Sequence, residues 1–192
     1  MRCILKNAKV FSQGVFHLAD VFLSDGKIVS IGNGVFRSDD TVTIDISNMV
    51  LFPGFVDVHV HLREPGFSYK ETIKSGTAAA ARAGYNAVCP MPNLNPVPDS
   101  VGNLQTELDI IKKDAVIDVL PFASITKGRK GGGECVDFAA LKDYVVGFSD
   151  DGCGVQSDDV MKQAMQKCAE INAVISAHCE VNELLRGGYI HD

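Results

Sequence analysis

Short runs in which apolar and polar residues alternate fill residues 1–50 of the chain. Alternation with a period of two is typical of β-strands that bury one face. Asp25 and Gly26 separate two of these runs, and an Asp-Gly pair between β-favouring segments indicates a hairpin turn. We therefore expect residues 1–50 to form a separate β-sandwich portion.

The pattern changes at residue 51, where short apolar runs begin to alternate with longer segments of helical periodicity. This order is typical of βαβ units around a parallel sheet. Five strands are predicted, at residues 51–62, 86–90, 115–124, 144–152 and 173–180. The clearest predicted helices lie between them, at residues 69–83, 101–113 and 157–171.

The first of these strands carries the most informative residues, within the sequence LFPGFVDVHVHLREPG at residues 51–66. Alternate side chains of a strand point to the same face, so His59 and His61 project together, while Val58, Val60 and Leu62 pack the other way. A histidine in an apolar strand is more often an ordinary core residue. Here, however, a Pro-Gly turn precedes the strand and Arg63 follows the pair, and we interpret the two histidines as half of a metal site.

Two later strands also end in potential metal ligands. The fourth predicted strand runs into Asp150 and Asp151, and the fifth ends at His178. In a parallel β/α barrel the carboxyl ends of all strands open on one face, so these groups are expected to converge with His59 and His61. Imidazole and carboxylate ligands suit zinc or a similar divalent ion. The strand pattern leaves open which of the two aspartates binds it.

The loop at residues 125–137, ITKGRKGGGECVD, is basic and rich in glycine. It lacks the G-x-x-x-x-G-K-[ST] arrangement with which a P-loop surrounds phosphate groups. We therefore interpret it as a flexible crossover loop.

Composition and charge exclude several classes of protein. The chain has 192 residues, of which 46% are hydrophobic, and a formal net charge of −6. The acidic balance argues against a partner that is nucleic acid or an anionic membrane. No apolar run is long enough to span a bilayer and the N-terminus lacks the pattern of a secretory signal, so a cytoplasmic location is expected. The six cysteines form no C-x-x-C pair and are predicted to be reduced thiols.

The sequence PGFVDVHVHLREPG at residues 53–66, together with MPNLNPVPD at residues 91–99, resembles the amidohydrolase superfamily and, within it, the bacterial type I dihydroorotases. The resemblance extends over nearly the whole chain. It implies a β-sandwich portion at residues 1–50, followed at residues 51–192 by about five β/α units, the first half of a TIM-type (β/α)8 barrel. The implied reaction is the zinc-dependent, reversible cyclisation of N-carbamoyl-L-aspartate to L-dihydroorotate in pyrimidine biosynthesis.

The resemblance also implies a set of metal ligands. A complete active site of this kind holds two zinc ions. His59, His61 and Asp151 would bind one ion, and Asp151 and His178 would bind the other, so that Asp151 bridges the two. The resemblance assigns no role to Asp150.

Substrate and partners follow from the same resemblance. Arg63 and Asn93 match the positions that bind the substrate carboxylate, and a guanidinium group offers a bidentate fork to such a group. The implied partner is the small-molecule substrate, with a homodimer as the assembly of the full-length protein.

The chain is expected to contain an incomplete barrel, because a (β/α)8 barrel takes roughly 250 residues. Related enzymes also supply a histidine after the sixth strand and a general acid/base aspartate after the eighth, and neither position occurs in this sequence. His191 falls in a loop after the fifth predicted strand and is not expected to be a ligand. We expect the chain alone to be catalytically inactive and to hold metal weakly.

Two alternative functions are compatible with parts of this pattern. A non-catalytic, dihydroorotase-like scaffold that binds aspartate transcarbamoylase would have no need for the four candidate ligands. Another cyclic amidohydrolase, such as an allantoinase or hydantoinase, is the second alternative. Hydantoinases carry a carboxylated lysine at the end of the fourth strand, whereas Lys142 precedes that strand here. This difference favours the dihydroorotases.

Overall fold

The computed structural model describes residues 1–34 and 40–185, and His191 lies outside these ranges. The chain divides into two compact units, Met1–Pro53 and Gly54–Asp192. Within the described ranges, no helix combines the length and the apolar composition that crossing a bilayer requires.

The described part of the first unit forms one five-stranded sheet. Its strands are β1 (Arg2–Ser12), β2 (Val15–Ser24), β3 (Lys27–Gly32), β4 (Thr41–Asp45) and β5 (Val50–Leu51). Strand β1 is central, since it pairs antiparallel with β2 and parallel with both β4 and β5, while β3 pairs with the other edge of β2. A sandwich requires two layers, so the described residues of this unit account for one layer of the predicted sandwich portion.

The predicted hairpin turn joins β2 to β3. Ser24 and Lys27 pair across it, and Asp25 and Gly26 have φ angles of 51° and 77°. Two successive residues with positive φ are typical of a type I′ turn, whose twist matches that of the flanking strands. One face of the sheet buries a small apolar cluster made of Ala8, Val10, Ala19 and Val21.

Parallel strands and helices alternate through the second unit. Its strands are β6 (Phe55–Val60), β7 (Tyr85–Pro90), β8 (Asp118–Val119), β9 (Phe122–Ala123) and β10 (Gly147–Phe148). Its helices are α1 (Ile73–Arg82), α2 (Val101–Asp114), α3 (Phe138–Leu141), α4 (Asp158–Glu170) and α5 (Asn182–Leu185), with 3₁₀ turns at Lys127–Arg129 and Lys142–Tyr144. Strands β6, β7 and β8 form one parallel sheet, and β9 pairs with β10 in another.

The three long helices begin at capping side chains. Thr72, Ser100 and Ser157 each accept a hydrogen bond from the backbone N–H three residues later, ahead of α1, α2 and α4 respectively. Such a cap satisfies one of the free N–H groups in the first helical turn. The helix predicted to start at residue 69 therefore starts at Ile73.

The last three predicted strands are shorter in the structure than in the prediction. The third, at residues 115–124, is divided into β8 and β9 next to Pro121, which cannot donate a hydrogen bond to a sheet. The fourth retains only Gly147–Phe148, and the fifth is reduced to a single parallel bridge between Ile175 and Phe148. The strand order is therefore as predicted, but the ladders are short.

The outward face of β6 also differs from the prediction. Val58 was expected to pack opposite the histidines together with Leu62, yet Val58 is 66% exposed whereas Leu62 is 5% exposed. Leu62 packs in a cluster with Ile73, Val88 and Val119. The described residues thus cover only the carboxyl end of β6, which is the end that carries the histidines.

The largest core cluster supports the residues that follow β10. Phe148 is completely buried, and its ring meets that of Phe138 edge to face with centroids 4.8 Å apart. Leu104 of α2 and Ala164 and Cys168 of α4 belong to the same cluster. This packing gives β10 a rigid base, because buried aromatic side chains make many close contacts.

Asp150 lies just after β10 and fixes the loop that follows β9. Its Oδ1 accepts hydrogen bonds from the backbone N–H groups of Ile125, at 2.8 Å, and Thr126, at 3.1 Å, and its Oδ2 accepts the Thr126 hydroxyl. Thr126 Oγ1 in turn accepts the N–H of Gly131 at 3.1 Å. The loop that was predicted to be flexible is therefore anchored through a buried carboxylate, and Asp150 gains a structural role.

Replacing Asp150 should release this loop. In the Asp150→Ala variant two buried N–H groups lose their acceptor, and the free energy of unfolding should fall by about 2–4 kcal/mol. Hydrogen exchange measured by NMR should show faster exchange of the Ile125 and Thr126 amides. Asp143→Ala removes an exposed carboxylate and serves as the control. Unchanged protection of both amides would show that Asp150 does not hold the loop.

Glu107 is an ionisable side chain buried in α2. It is 2% exposed, and its Oε2 has no hydrogen-bond partner among the described residues. Burial raises the pKa of Glu107 to about 8, because desolvation disfavours the carboxylate. In the folded chain this carboxyl group is therefore mostly protonated at neutral pH.

Glu107 should make stability depend on pH. In the unfolded chain this group ionises near its ordinary value of 4.5, so between about pH 4.5 and 8 the folded state binds more protons and stability falls as the pH rises. Relative to the parent, Glu107→Gln should gain on the order of 3 kcal/mol in unfolding free energy between pH 5 and 8. Urea unfolding followed by circular dichroism measures this gain. Exposed Glu170→Gln is the control, and parallel pH curves for Glu107→Gln and the parent would contradict the prediction.

Candidate metal centre

The end of β6 and the turn after β10 bring three potential ligands together. Ligand atoms of His59, His61 and Asp151 all lie within 4.8 Å of one another. His59 Nε2 is 3.6 Å from Asp151 Oδ1, and His61 Nε2 is 3.8 Å from Asp151 Oδ2. Ligand bonds of about 2.1 Å at the tetrahedral angle around zinc separate neighbouring ligand atoms by about 3.4 Å. The three side chains thus fit a common divalent ion with small adjustments.

The strand geometry explains how the two histidines reach the same side. They are two residues apart at the end of β6, and their ring centroids are 5.2 Å apart with the ring planes nearly perpendicular at 80°. Asp57, two residues earlier, accepts the backbone N–H of His59 at 3.2 Å. The imidazoles are partly open to solvent, whereas the Asp151 side chain is 8% exposed. Asp151 is therefore the most buried of the three candidate ligands.

His178 reaches the same carboxylate from the segment after the Ile175 bridge. Its Nδ1 is 3.3 Å from Asp151 Oδ1, and its Nε2 is 3.7 Å from Glu180 Oε2. His178 is not part of the group of three within 4.8 Å. Asp151 thus has imidazole nitrogens near both of its oxygens, and Glu180 is a neighbouring acid that the sequence analysis did not select.

Asn93 connects two of the candidate ligands. Its Oδ1 is 3.0 Å from His61 Nδ1, and its Nδ2 donates to Asp151 Oδ2 at 2.9 Å. An acceptor at Nδ1 favours the tautomer that carries the proton there, which leaves His61 Nε2 free as a ligand. Asn93, which the resemblance implies as a substrate ligand, therefore also contacts two of the candidate metal ligands.

A tight turn holds Asp151 in place. The N–H groups of Cys153 and Gly154 both donate to the carbonyl oxygen of Asp150, at 3.0 and 2.9 Å. Gly152, within this turn, has a φ of 80°, where a residue with a Cβ would be strained. The Asp-Asp-Gly sequence therefore forms a turn, and this turn holds Asp151 near the histidines.

A second turn places Arg63 beside Asn93. The backbone N–H of Asn95 donates to the carbonyl of Pro65 at 3.2 Å. Gly66, with a φ of 95°, lies so close to Asn95 that an added Cβ would collide with its carbonyl oxygen. The Arg-Glu-Pro-Gly turn is thereby packed against the proline-rich loop after β7, and Arg63 and Asn93 line the same cavity.

Arg129 is a residue of this site that the sequence analysis missed. Its Nη1 donates to the backbone carbonyl of Asp151 at 2.6 Å and to Cys153 Sγ at 3.0 Å. It belongs to the glycine-rich loop that Asp150 anchors, and the basic composition of that loop was the only signal in the sequence. The basic composition of the loop does not show which way the Arg129 side chain points, so the sequence did not predict its contact with Asp151.

Curated relatives match this chain over nearly its whole length. The dihydro-orotase-like family matches residues 48–192. A dihydroorotase from Fusobacterium nucleatum subsp. nucleatum is 48% identical over 189 residues, which cover 98% of this chain and 44% of that protein. A dihydroorotase from Macrococcus caseolyticus is 47% identical over 195 residues, which cover 100% of this chain and 45% of that protein. The chain spans less than half the length of these relatives.

Solved structures share the fold at lower sequence identity. An L-hydantoinase (dihydropyrimidinase) from Arthrobacter aurescens superposes with a TM-score of 0.83 at 20% identity, over 96% of this chain and 42% of that one. A D-hydantoinase (dihydropyrimidinase) from Thermus sp. gives a TM-score of 0.77 at 23% identity, over 95% of this chain and 41% of that one. These matches confirm the predicted fold class. The family match confirms the resemblance drawn from the motifs, and the chain belongs to the dihydro-orotase-like family.

Proposed function

We propose that this chain contributes the metal-binding half of a dihydroorotase active site, for the reversible cyclisation of N-carbamoyl-L-aspartate to L-dihydroorotate. The observation that carries the proposal is the Asp151 carboxylate, which lies 3.6, 3.8 and 3.3 Å from the imidazole nitrogens of His59, His61 and His178. A cavity lined by Arg63 and Asn93 adjoins this centre. Ligands for a cation and groups for a substrate anion are therefore neighbours.

The proposed metal is zinc, with two ions in the complete site. His59, His61 and Asp151 would hold one ion, and Asp151 and His178 the other. A divalent ion bound there would polarise an amide carbonyl and lower the pKa of a bound water. The chain itself would orient the metal ligands, since Asn93 contacts both the ring of His61 and one oxygen of Asp151.

The chain supplies substrate recognition through Arg63 and Asn93. A guanidinium group forms two parallel hydrogen bonds to a carboxylate, and an amide N–H adds a directed donor. With the acid group of the substrate in the cavity, its cyclic amide would extend towards Asp151. This orientation would bring the bond that breaks or forms next to the metal ligands.

The residue at the end of the fourth barrel strand supports a dihydroorotase over a hydantoinase. Residues 144–152 contain no lysine, and Lys142 is exposed in a 3₁₀ turn before β10. The resemblance to type I dihydroorotases implies that Asp151 takes the place of the carboxylated lysine of a hydantoinase. The hydantoinase structures therefore share the fold, while the local chemistry favours the other branch. Homodimerisation, assembly with aspartate transcarbamoylase and a cytoplasmic location stay predictions.

Metal binding by this chain is the first test. Titration with Co²⁺, followed by visible absorption, and with Zn²⁺ by calorimetry should show binding that His61→Asn and Asp151→Asn each weaken at least about tenfold, because each removes a ligand. His17→Asn changes an exposed histidine of the first unit and is the control. Equal affinity in all variants would place the metal elsewhere.

Catalysis is the second test, and it uses the part of the Fusobacterium nucleatum dihydroorotase that this chain does not match. This chain alone should not cyclise N-carbamoyl-L-aspartate, since a general acid/base aspartate and a further histidine are expected from that other part. Mixing the two should restore turnover, and Asp151→Asn should abolish it in the mixture. Turnover by the chain alone, or turnover of hydantoin but not of dihydroorotate by the mixture, would contradict the proposal.

A further inference from the structure

The cavity beside the candidate metal centre is lined by three cationic side chains. It has a volume of about 340 Å³ and is lined by Arg63, Phe67, Lys70, Asn93, Arg129 and Gly152. Three of these six residues are cationic and none is acidic. The resemblance to type I dihydroorotases implied only Arg63 and Asn93 as substrate ligands, so Lys70 and Arg129 have no assigned role.

No acidic side chain neutralises these cations in the part of the chain that the structure describes. There, no carboxylate oxygen lies within 4.0 Å of a charged nitrogen of Arg63, Lys70 or Arg129. Lys70 Nζ instead lies 5.9 and 5.7 Å from the ring centroids of Phe67 and Tyr69. Uncompensated like charges gathered around a concave surface attract an anion.

Arg63 and Arg129 both have an unusual backbone conformation. Among the described residues, seven non-glycine residues have positive φ, and four of these are Asn or Asp, which adopt this backbone most readily. Of the other three, Gln13 lies between β1 and β2, whereas Arg63 and Arg129, with φ angles of 61° and 53°, both line this cavity. Left-handed backbone at residues other than Gly, Asn and Asp is uncommon and often occurs at functional sites.

Arg129 is also held in place. Asp150 fixes the start of its loop, and the hydrogen bonds of Nη1 to the Asp151 carbonyl and to Cys153 Sγ fix its guanidinium group. Its Nε is buried and has no hydrogen-bond partner among the described residues. A guanidinium group that is already held in one orientation binds a carboxylate at a low cost in side-chain entropy.

We propose that Arg129 and Lys70 are specificity-determining residues that complete, with Arg63 and Asn93, a binding site for the acid group of the substrate. The inference rests on the proposed function and deepens it. Its consequence is that Arg129 and Lys70 contribute to the binding of an anionic substrate and not to the binding of a neutral cyclic amide such as hydantoin.

Calorimetric titration of this chain, with and without Zn²⁺, tests the proposal with L-dihydroorotate as the anionic probe and hydantoin as the neutral one. Arg129→Met and Lys70→Met should each weaken dihydroorotate binding about tenfold or more, as expected for the loss of one charge-assisted contact. Arg129→Lys keeps the charge and should recover part of the affinity. Hydantoin should bind weakly to every variant.

Lys127→Met is the matched control. Lys127 lies in the same loop as Arg129 and carries the same charge, but it pairs with Glu134 at 2.9 Å and does not line the cavity. Its removal should change dihydroorotate affinity by less than about twofold. If circular dichroism shows that Arg129→Met does not fold, Lys70→Met is the deciding variant, because the Lys70 side chain is exposed and lies over the rings of Phe67 and Tyr69.

Succinate, a dicarboxylate without the cyclic amide, separates this inference from the proposed function. Succinate binding that depends on Arg129 and Lys70, without any dihydroorotate binding, would support the anion site and contradict the dihydroorotase proposal. Dihydroorotate binding that is equal in Arg129→Met, Lys70→Met and Lys127→Met would overturn the inference and leave the dihydroorotase proposal standing. Failure of the parent chain to bind either anion at millimolar concentration would also overturn the inference.

Discussion

Two consecutive buried carboxylates at the end of β10 determine the architecture of the site. Asp150 is 1% exposed and Asp151 is 6% exposed, and an ionised carboxylate is costly to bury unless donors or cations compensate it. Asp150 is compensated by N–H groups and a hydroxyl of the loop after β9, and Asp151 accepts a hydrogen bond from the Asn93 amide. In the turn that follows β10, the two carboxylates have different partners: Asp150 contacts the loop after β9, and Asp151 lies among the candidate metal ligands. Adjacent residues can therefore fix a loop and gather the candidate ligands.

Local sequence patterns were sufficient for the parts of the site that depend on local geometry. The His-Val-His alternation predicted that both imidazoles share a side, and the structure places their rings 5.2 Å apart. Strand ends correctly located Asp151 and His178 near one another, although the strands themselves are shorter than predicted. Their lengths depend on long-range pairing and on Pro121, and the pattern of apolar residues does not encode either effect.

The roles of Asp150 and Arg129 could not be obtained in the same way. Asp150 receives its hydrogen bonds from residues 24 and 25 positions earlier in the chain, so no spacing within its own segment reveals them. The glycines of residues 125–137 permit many conformations, and this favoured the interpretation of a flexible loop. A tertiary contact selects one of these conformations, and with it the direction of the Arg129 side chain.

The contact between Arg129 and Asp151 also separates opposite charges that would otherwise neutralise each other. Arg129 donates to the main-chain carbonyl of Asp151, at 2.6 Å, and no ion pair joins it to the carboxylate among the described residues. A bidentate guanidinium pair would occupy both carboxylate oxygens and compete with a metal ion. Because the main chain takes this hydrogen bond, the Asp151 side chain stays directed at the imidazoles while the cation faces the cavity. Asn93, which touches His61 and Asp151 and also lines the cavity, marks the boundary between the two.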